Sequence, residues 1–315
     1  MIERWVAFWD RRESPLALVA TRIALGLVVL FDLGVIGVYG LPPVLWGLVD
    51  GLSTVAPSTP WIYQVLPPSG AGPWILYGAL VLTAGAFTAG FATRWAGLAF
   101  VVLYAQSDVI NPLADRGIDR LIRIAILILS FSACSAMASV DARLRTGRWR
   151  GDDQPAPAWP RYLLLGQLVL TYFCAGLGKG GTEWLPVGRW SALYVVLQDP
   201  IFAVIDFSWL RRPIPFFFSQ VSTAGTHLWE LSAPLVLLAA WFRATPERDG
   251  RLRRLFTRVR ARDLYVMVGV VFHLGLALTM RLGVFPFAML SMFWVFFRPE
   301  EVAAGVARVR GRLVR

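Results

Sequence analysis

Residues 16–36 read LALVATRIALGLVVLFDLGVI, an apolar run whose only charged residues are Arg22 and Asp32. As a helix it is long enough to cross a bilayer, which takes roughly 20 mostly apolar residues. The run decides the fold class because it recurs. Further candidate spans lie at Pro73–Phe91, Trp95–Val109, Ile118–Met137, Tyr162–Gly178, Ile214–Phe242, Leu264–Met280 and Gly283–Phe297, of which Trp95–Val109 and Gly283–Phe297 are short. Composition agrees. The chain is 57% hydrophobic and 16% charged, where a soluble domain is about a quarter charged, and its mean hydropathy is +0.58. The expectation is an all-α fold: a polytopic integral membrane bundle of about eight transmembrane helices, with residues 1–315 forming one domain. The first run reads as a retained helix, because no small-residue cleavage site follows it. The stretch Trp190–Trp209 is broken by Asp199, Pro200 and Asp206. It reads as an interfacial or re-entrant segment, tolerated at membrane depth only under cover of protein or a wet cavity.

Loop charge sets the orientation. Eight arginines, from Arg243 to Arg262, lie between the sixth and seventh candidates. Arg143, Arg145, Arg148, Arg150 and Arg161 follow the fourth, and Arg298, Arg308, Arg310, Arg312 and Arg315 follow the last. Residues 33–93 contain neither Lys nor Arg. Cytoplasmic loops carry the excess of Lys and Arg. The expectation is therefore a multi-pass protein of the cell membrane with both termini cytoplasmic. Arg189, Arg211 and Arg212 fall outside in this arrangement and count against it. The formal net charge of +11 is explained by these flanking arginines and implies contact with lipid head groups. It does not imply nucleic acid, because the charge sits in short loops between spans.

No phosphate-binding glycine loop and no nucleophile elbow occurs. Cys134 and Cys174 lie in apolar runs without metal-ligand spacing, so they read as small buried hydrophobes and no metal is expected. Chemistry must come from ionisable groups at membrane depth, which are costly and usually face the bundle interior. Arg22 reads as an interior group or as a snorkelling cation. Asp119 and Arg123 are four apart, which allows a structural ion pair. His227 and Glu230 are three apart and share a helix face; His273 lies in the apolar stretch Val270–Leu274, and these are the chain's two histidines. Lys179 is the single lysine among 31 basic residues. Lysine gives up its proton far more readily than arginine when desolvated, which suits a general base, and the neighbouring glycines leave room for a ligand. The other reading of Lys179 is a cation anchoring the helix end at the outer interface.

Several short motifs resemble the horizontally transferred transmembrane (HTTM) family, whose relatives include the vitamin K-dependent gamma-carboxylases. Ser14–Leu18 running into Thr21–Gly26 is similar to the family's first helix. Asn111–Pro112 followed by Gly117–Arg123, and Ala138–Ala142, are similar to its fourth. The most specific match is Tyr172-Phe173-x-Ala175-Gly176-x-x-Lys179 followed by Trp184. Glu230-Leu231-Ser232 and Phe272-His273 also match. At Asp119 the chain departs, since the carboxylases carry a histidine there. The resemblance implies a membrane enzyme that binds and oxidises an isoprenoid quinol such as menaquinol. Lys179 would be its base and His273 a second catalytic group, with His227, Glu230, Trp184, Asp119 and Arg123 lining the site. A separate soluble protein partner is expected for any further redox or carboxylating step. The alternative is a non-enzymatic membrane protein, such as an immunity, sensor or partner-binding component.

Overall fold

The computed structural model describes residues 6, 9–48, 61–245 and 247–313, and these fall into two compact units. Unit 1 comprises residues 1–164 and 291–315, and unit 2 residues 165–290. Both are helical. A two-residue antiparallel pair, β1 (Arg12–Glu13) with β2 (Ala156–Pro157), is the one sheet among the described residues.

Unit 1 is built on α1 (Leu16–Val38), α4 (Gly72–Ala89), α5 (Thr93–Ile110) and α6 (Gly117–Ser130), each packed on the next. Between α1 and α4 lie the short α2 (Pro42–Trp46) and α3 (Trp61–Val65), and α7 (Val140–Thr146) follows α6. The chain returns to α1 through a 3-10 turn at Phe293–Phe296 and α15 (Pro299–Leu313). Close packing of α1 on α4 depends on Gly26, where any Cβ would collide with the Thr88 hydroxyl.

Arg22 does not snorkel. It is fully buried, and its guanidinium donates to Cys134 O at 2.9 Å and Ala138 O at 2.5 Å, fastening α1 to the turns that follow α6. Arg161, grouped above with the loop charges, is also buried. It forks onto the Glu13 carboxylate at 2.5 and 2.8 Å and donates to Val295 O at 3.1 Å. A bidentate guanidinium–carboxylate pair is the strong form of that contact.

The start of α5 is capped from a distance. Asp141 accepts from Ala92 N (2.8 Å), Thr93 N (3.0 Å) and Thr93 Oγ1 (2.7 Å). A helix N-terminus has unsatisfied N–H groups and a positive dipole end, so a carboxylate there is stabilising. Partial burial works against the charge. The Thr93 hydroxyl and amide, the Ala92 amide and the Arg22 charge outweigh it and hold the Asp141 carboxyl below its ordinary range.

Unit 2 contains most of α8 (Trp159–Leu177), α9 (Ala192–Leu197), α10 (Pro213–Leu231), α11 (Pro234–Ala244), α12 (Arg251–Arg258), α13 (Ala261–Thr279) and all but the last residue of α14 (Phe285–Ser291). The apolar run 214–242 is two helices. Pro234 lacks an N–H and its ring excludes the preceding turn, so α10 stops at Leu231 and Pro234 opens α11. Trp190–Trp209 is broken as its sequence implies. It holds α9, a bridge between Ala203 and Met280, and a 3-10 turn at Ser208–Arg211, packed through Leu197, Ala203, Phe207 and Leu210.

Among the described residues α1, α4 and α13 are long and apolar enough to cross a membrane. Helices α5, α8 and α10 have similar length but carry Arg94 and Asp108, Arg161 and Gln167, and Gln220 and Glu230 respectively. The other two expected spans are shorter than the sequence runs. Helix α6 ends at Ser130, and Gly283–Phe297 becomes α14 and the 3-10 turn at Phe293–Phe296.

Candidate functional site

Three of the expected site residues in unit 2, Lys179, His227 and Glu230, gather at the end of α8 and the last turns of α10. Helix α8 ends at Leu177, and Lys179 follows in the Gly-rich turn. Its Nζ lies 2.5 Å from Glu230 Oε2, 3.4 Å from Ala175 O and 4.9 Å from the centre of the Trp184 ring. The Lys179 side chain is 18% exposed and that of Glu230 5%. The lysine thus has an outlet and the glutamate almost none. Gly176 makes the approach possible: a Cβ there would press on Glu230 Cβ and Leu231 N, each at 3.1 Å. This glycine admits α10, where a ligand was expected.

His227 lies one turn before Glu230 on α10, and its Nδ1 is 3.2 Å from the Trp184 carbonyl. The Trp184 and Trp190 rings meet its imidazole edge-on at 6.3 and 5.8 Å. Trp190 and Arg189 both adopt positive φ, of 54° and 60°, a region non-glycine residues rarely occupy outside over-determined sites. Gln220 donates to the Arg189 carbonyl at 2.5 Å and fixes that turn.

His273, on α13, belongs to a second cluster. It is fully buried, and its Nε2 is 2.7 Å from the Tyr172 hydroxyl of α8. Around the pair stand Trp229, Phe272 and Phe285. Tyr265 stacks on Trp229 at 5.0 Å, and its carbonyl accepts from the indole N–H. The clusters are neighbours, because Trp229, whose ring lies 4.7 Å from that of Tyr172, is followed directly by Glu230. A cavity of about 520 Å³ is lined in part by Trp229 and Tyr265; Lys179, His227, Glu230 and His273 are not among its lining residues.

Asp119 and Arg123 lie in unit 1 and do not pair with each other. Asp119 binds Arg116 and the Tyr104 hydroxyl at 2.8 and 2.7 Å, and Arg116 also reaches Asp32 at 2.5 Å. Arg123 binds Asp115 and Asp108 at 2.8 and 3.1 Å. The allowed i,i+4 contact loses to partners on α5 and on the loop before α6. Within unit 2 the sequence reading missed Tyr172, Trp190, Trp229 and Tyr265. Tyr172 stood inside the most specific motif, but its partner is 101 positions away. Trp229 is flanked in sequence by both predicted polar residues of α10, which was the available signal.

Chemically, this is a proton-carrying ion pair with one exposed edge, beside an imidazole held between two indoles and a buried phenol–imidazole pair. No curated protein and no solved structure matches the chain. The HTTM domain model matches residues 11–245, which include Lys179, Trp184, His227 and Glu230 and stop short of His273. That match covers about three quarters of the 315 residues, and the chain belongs to the HTTM family.

Proposed function

We propose that the chain is a multi-pass membrane protein, with both termini and the arginine-rich loops cytoplasmic, that binds an isoprenoid quinol of the menaquinol type and deprotonates it. The Lys179–Glu230 pair supports this reading above all. The lysine ammonium can accept a quinol proton only as it gives up one of its own. Glu230 Oε2, 2.5 Å away, would take that proton. The quinol O–H bond would break toward Nζ while an N–H proton passes to the carboxylate, so the pair as a whole is the base. Such relays serve general-base catalysis when the groups are within hydrogen-bond reach. Trp184 and Trp190, whose rings meet the His227 imidazole edge-on, would stack on a quinol ring, and His227 would supply a hydrogen-bonding imidazole beside it. His273 with Tyr172 is the second proton-carrying pair. Asp119 and Arg123 are assigned to the ion network of unit 1.

The test is to follow oxidation of a short-chain menaquinol by the purified protein, with dioxygen as oxidant. Lys179→Arg keeps the charge and removes the base, so this reading requires it to fail as completely as Lys179→Ala.

The same pair also favours a second reading. Its members offset each other's charge, and burying two opposite charges together is a structural solution at membrane depth. A non-enzymatic partner-binding, sensor or immunity component would use Lys179 only as a cation, and Lys179→Arg would then behave as wild type.

A further inference from the structure

The basic helix α12 and the cavity beneath it form a distinct feature of unit 2. The cavity, of about 520 Å³, lies within the range of small-ligand sites. Its walls are Trp229, Val236, Leu255, Phe256, Leu264 and Val268, among others, with Ser232 and Tyr265 as the polar exceptions. Helix α12 is held in place on one side. Its Arg253 bonds the Phe242 carbonyl and, at 2.7 Å, the Thr245 carbonyl; Phe256 meets Phe242 edge-on at 5.3 Å. Two stripes then run along the helix at the spacing of one face. Leu252, Leu255 and Val259 form the first, and each is about half exposed. Arg251, Arg254 and Arg258 form the second. Arg254 pairs with the exposed Asp249, and among the described residues the Arg251 and Arg258 side chains have no hydrogen bond or ion pair.

We propose that this is a binding site for one anionic phospholipid, with an acyl chain in the cavity and the phosphate on the Arg251, Arg254 and Arg258 stripe. An amphipathic basic helix with half-exposed leucines suits the plane of a membrane interface. Leu255, Phe256 and Val259 line the cavity from the same helical segment that carries the row of cations, a combination that matches a ligand with an apolar chain and an anionic head. A quinol, which has no anionic head, would leave the cations unused. The inference is independent of the Lys179 site.

The test is native mass spectrometry of the full chain, titrated in mild detergent with palmitoyl-oleoyl phosphatidylglycerol and with its phosphatidylcholine counterpart. One phosphatidylglycerol is expected to bind at least tenfold more tightly than phosphatidylcholine. Replacing Arg251, Arg254 and Arg258 by Gln should weaken phosphatidylglycerol by about fivefold per arginine, the worth of a cation beside an anionic surface, and leave phosphatidylcholine unchanged. Val268→Trp, which fills the cavity, should weaken both lipids. Equal affinity of the wild type for the two lipids overturns the proposal without recourse to any variant. So does undiminished phosphatidylglycerol binding in the arginine variant. Wild-type binding by Val268→Trp would show a head-group attraction without a chain site, and overturns it too.

Discussion

Glu230, on α10, meets Lys179 beyond the end of α8, with Nζ and Oε2 2.5 Å apart and the Trp184 ring beneath the ammonium. The two residues are far apart in sequence, and Gly176 clears the space that lets their segments touch. Removing one partner of a buried pair leaves an uncompensated charge, which typically costs about 3–5 kcal/mol. Lys179 retains an exposed edge, so the penalty for Glu230→Gln should be smaller, about 1–3 kcal/mol. It should appear as a lower thermal midpoint in detergent. The double variant Lys179→Met with Glu230→Leu should recover most of that midpoint while failing to turn over quinol. Recovery of both would assign the pair to structure alone.

Asp141 gives a pH signature in unit 1. Its folded carboxyl titrates below its ordinary value, because the Thr93 and Ala92 donors outweigh partial burial. A depressed acid contributes stability that is present above the ordinary carboxylate range and lost as pH falls through the folded value. The thermal midpoint should therefore decline as pH drops below about 4. Asp141→Ala should lower it at neutral pH by an amount equivalent to about 1 kcal/mol, the worth of a helix cap, and flatten that acid limb. An unchanged acid limb in the variant would remove the assigned role of Asp141.

Orientation is open to a direct chemical test. A cysteine introduced at Gly250, between α11 and α12, should react with a membrane-impermeant maleimide only from the cytoplasmic side. One at Ser58, which lies outside the described residues, should react only from the opposite side. Background reaction at the exposed Cys174 is removed by Cys174→Ser in both. Labelling of both sites from one side contradicts the eight-span arrangement.

Hydropathy located α1, α4 and α13 to within a few residues, because a long apolar run has few other uses. It failed where composition and geometry part. The run 214–242 stays apolar across Pro234, yet the proline divides it into two helices. The run 118–137 continues past Ser130, where the turns carry carbonyls for Arg22 to bind. Arg22 and Lys179 stood out in sequence as ionisable groups in costly places. Their partners did not, because Cys134 O, Ala138 O and Glu230 are brought near only by tertiary packing. The i,i+3 relation of His227 and Glu230 was legible and placed both at one end of α10. It did not reveal that each turns to a different partner, His227 to Trp184 and Glu230 to Lys179.

The most direct measurement is the isoprenoid quinone content of the protein purified from its native membrane in mild detergent, read by mass spectrometry. The wild type should retain a menaquinone-type molecule at close to one per chain. Lys179→Ala should lose it while keeping the same elution profile and thermal transition. Quinone at the level of a detergent blank in the wild type, or equal amounts in wild type and Lys179→Ala, would contradict a quinol site at the Lys179–Glu230 pair.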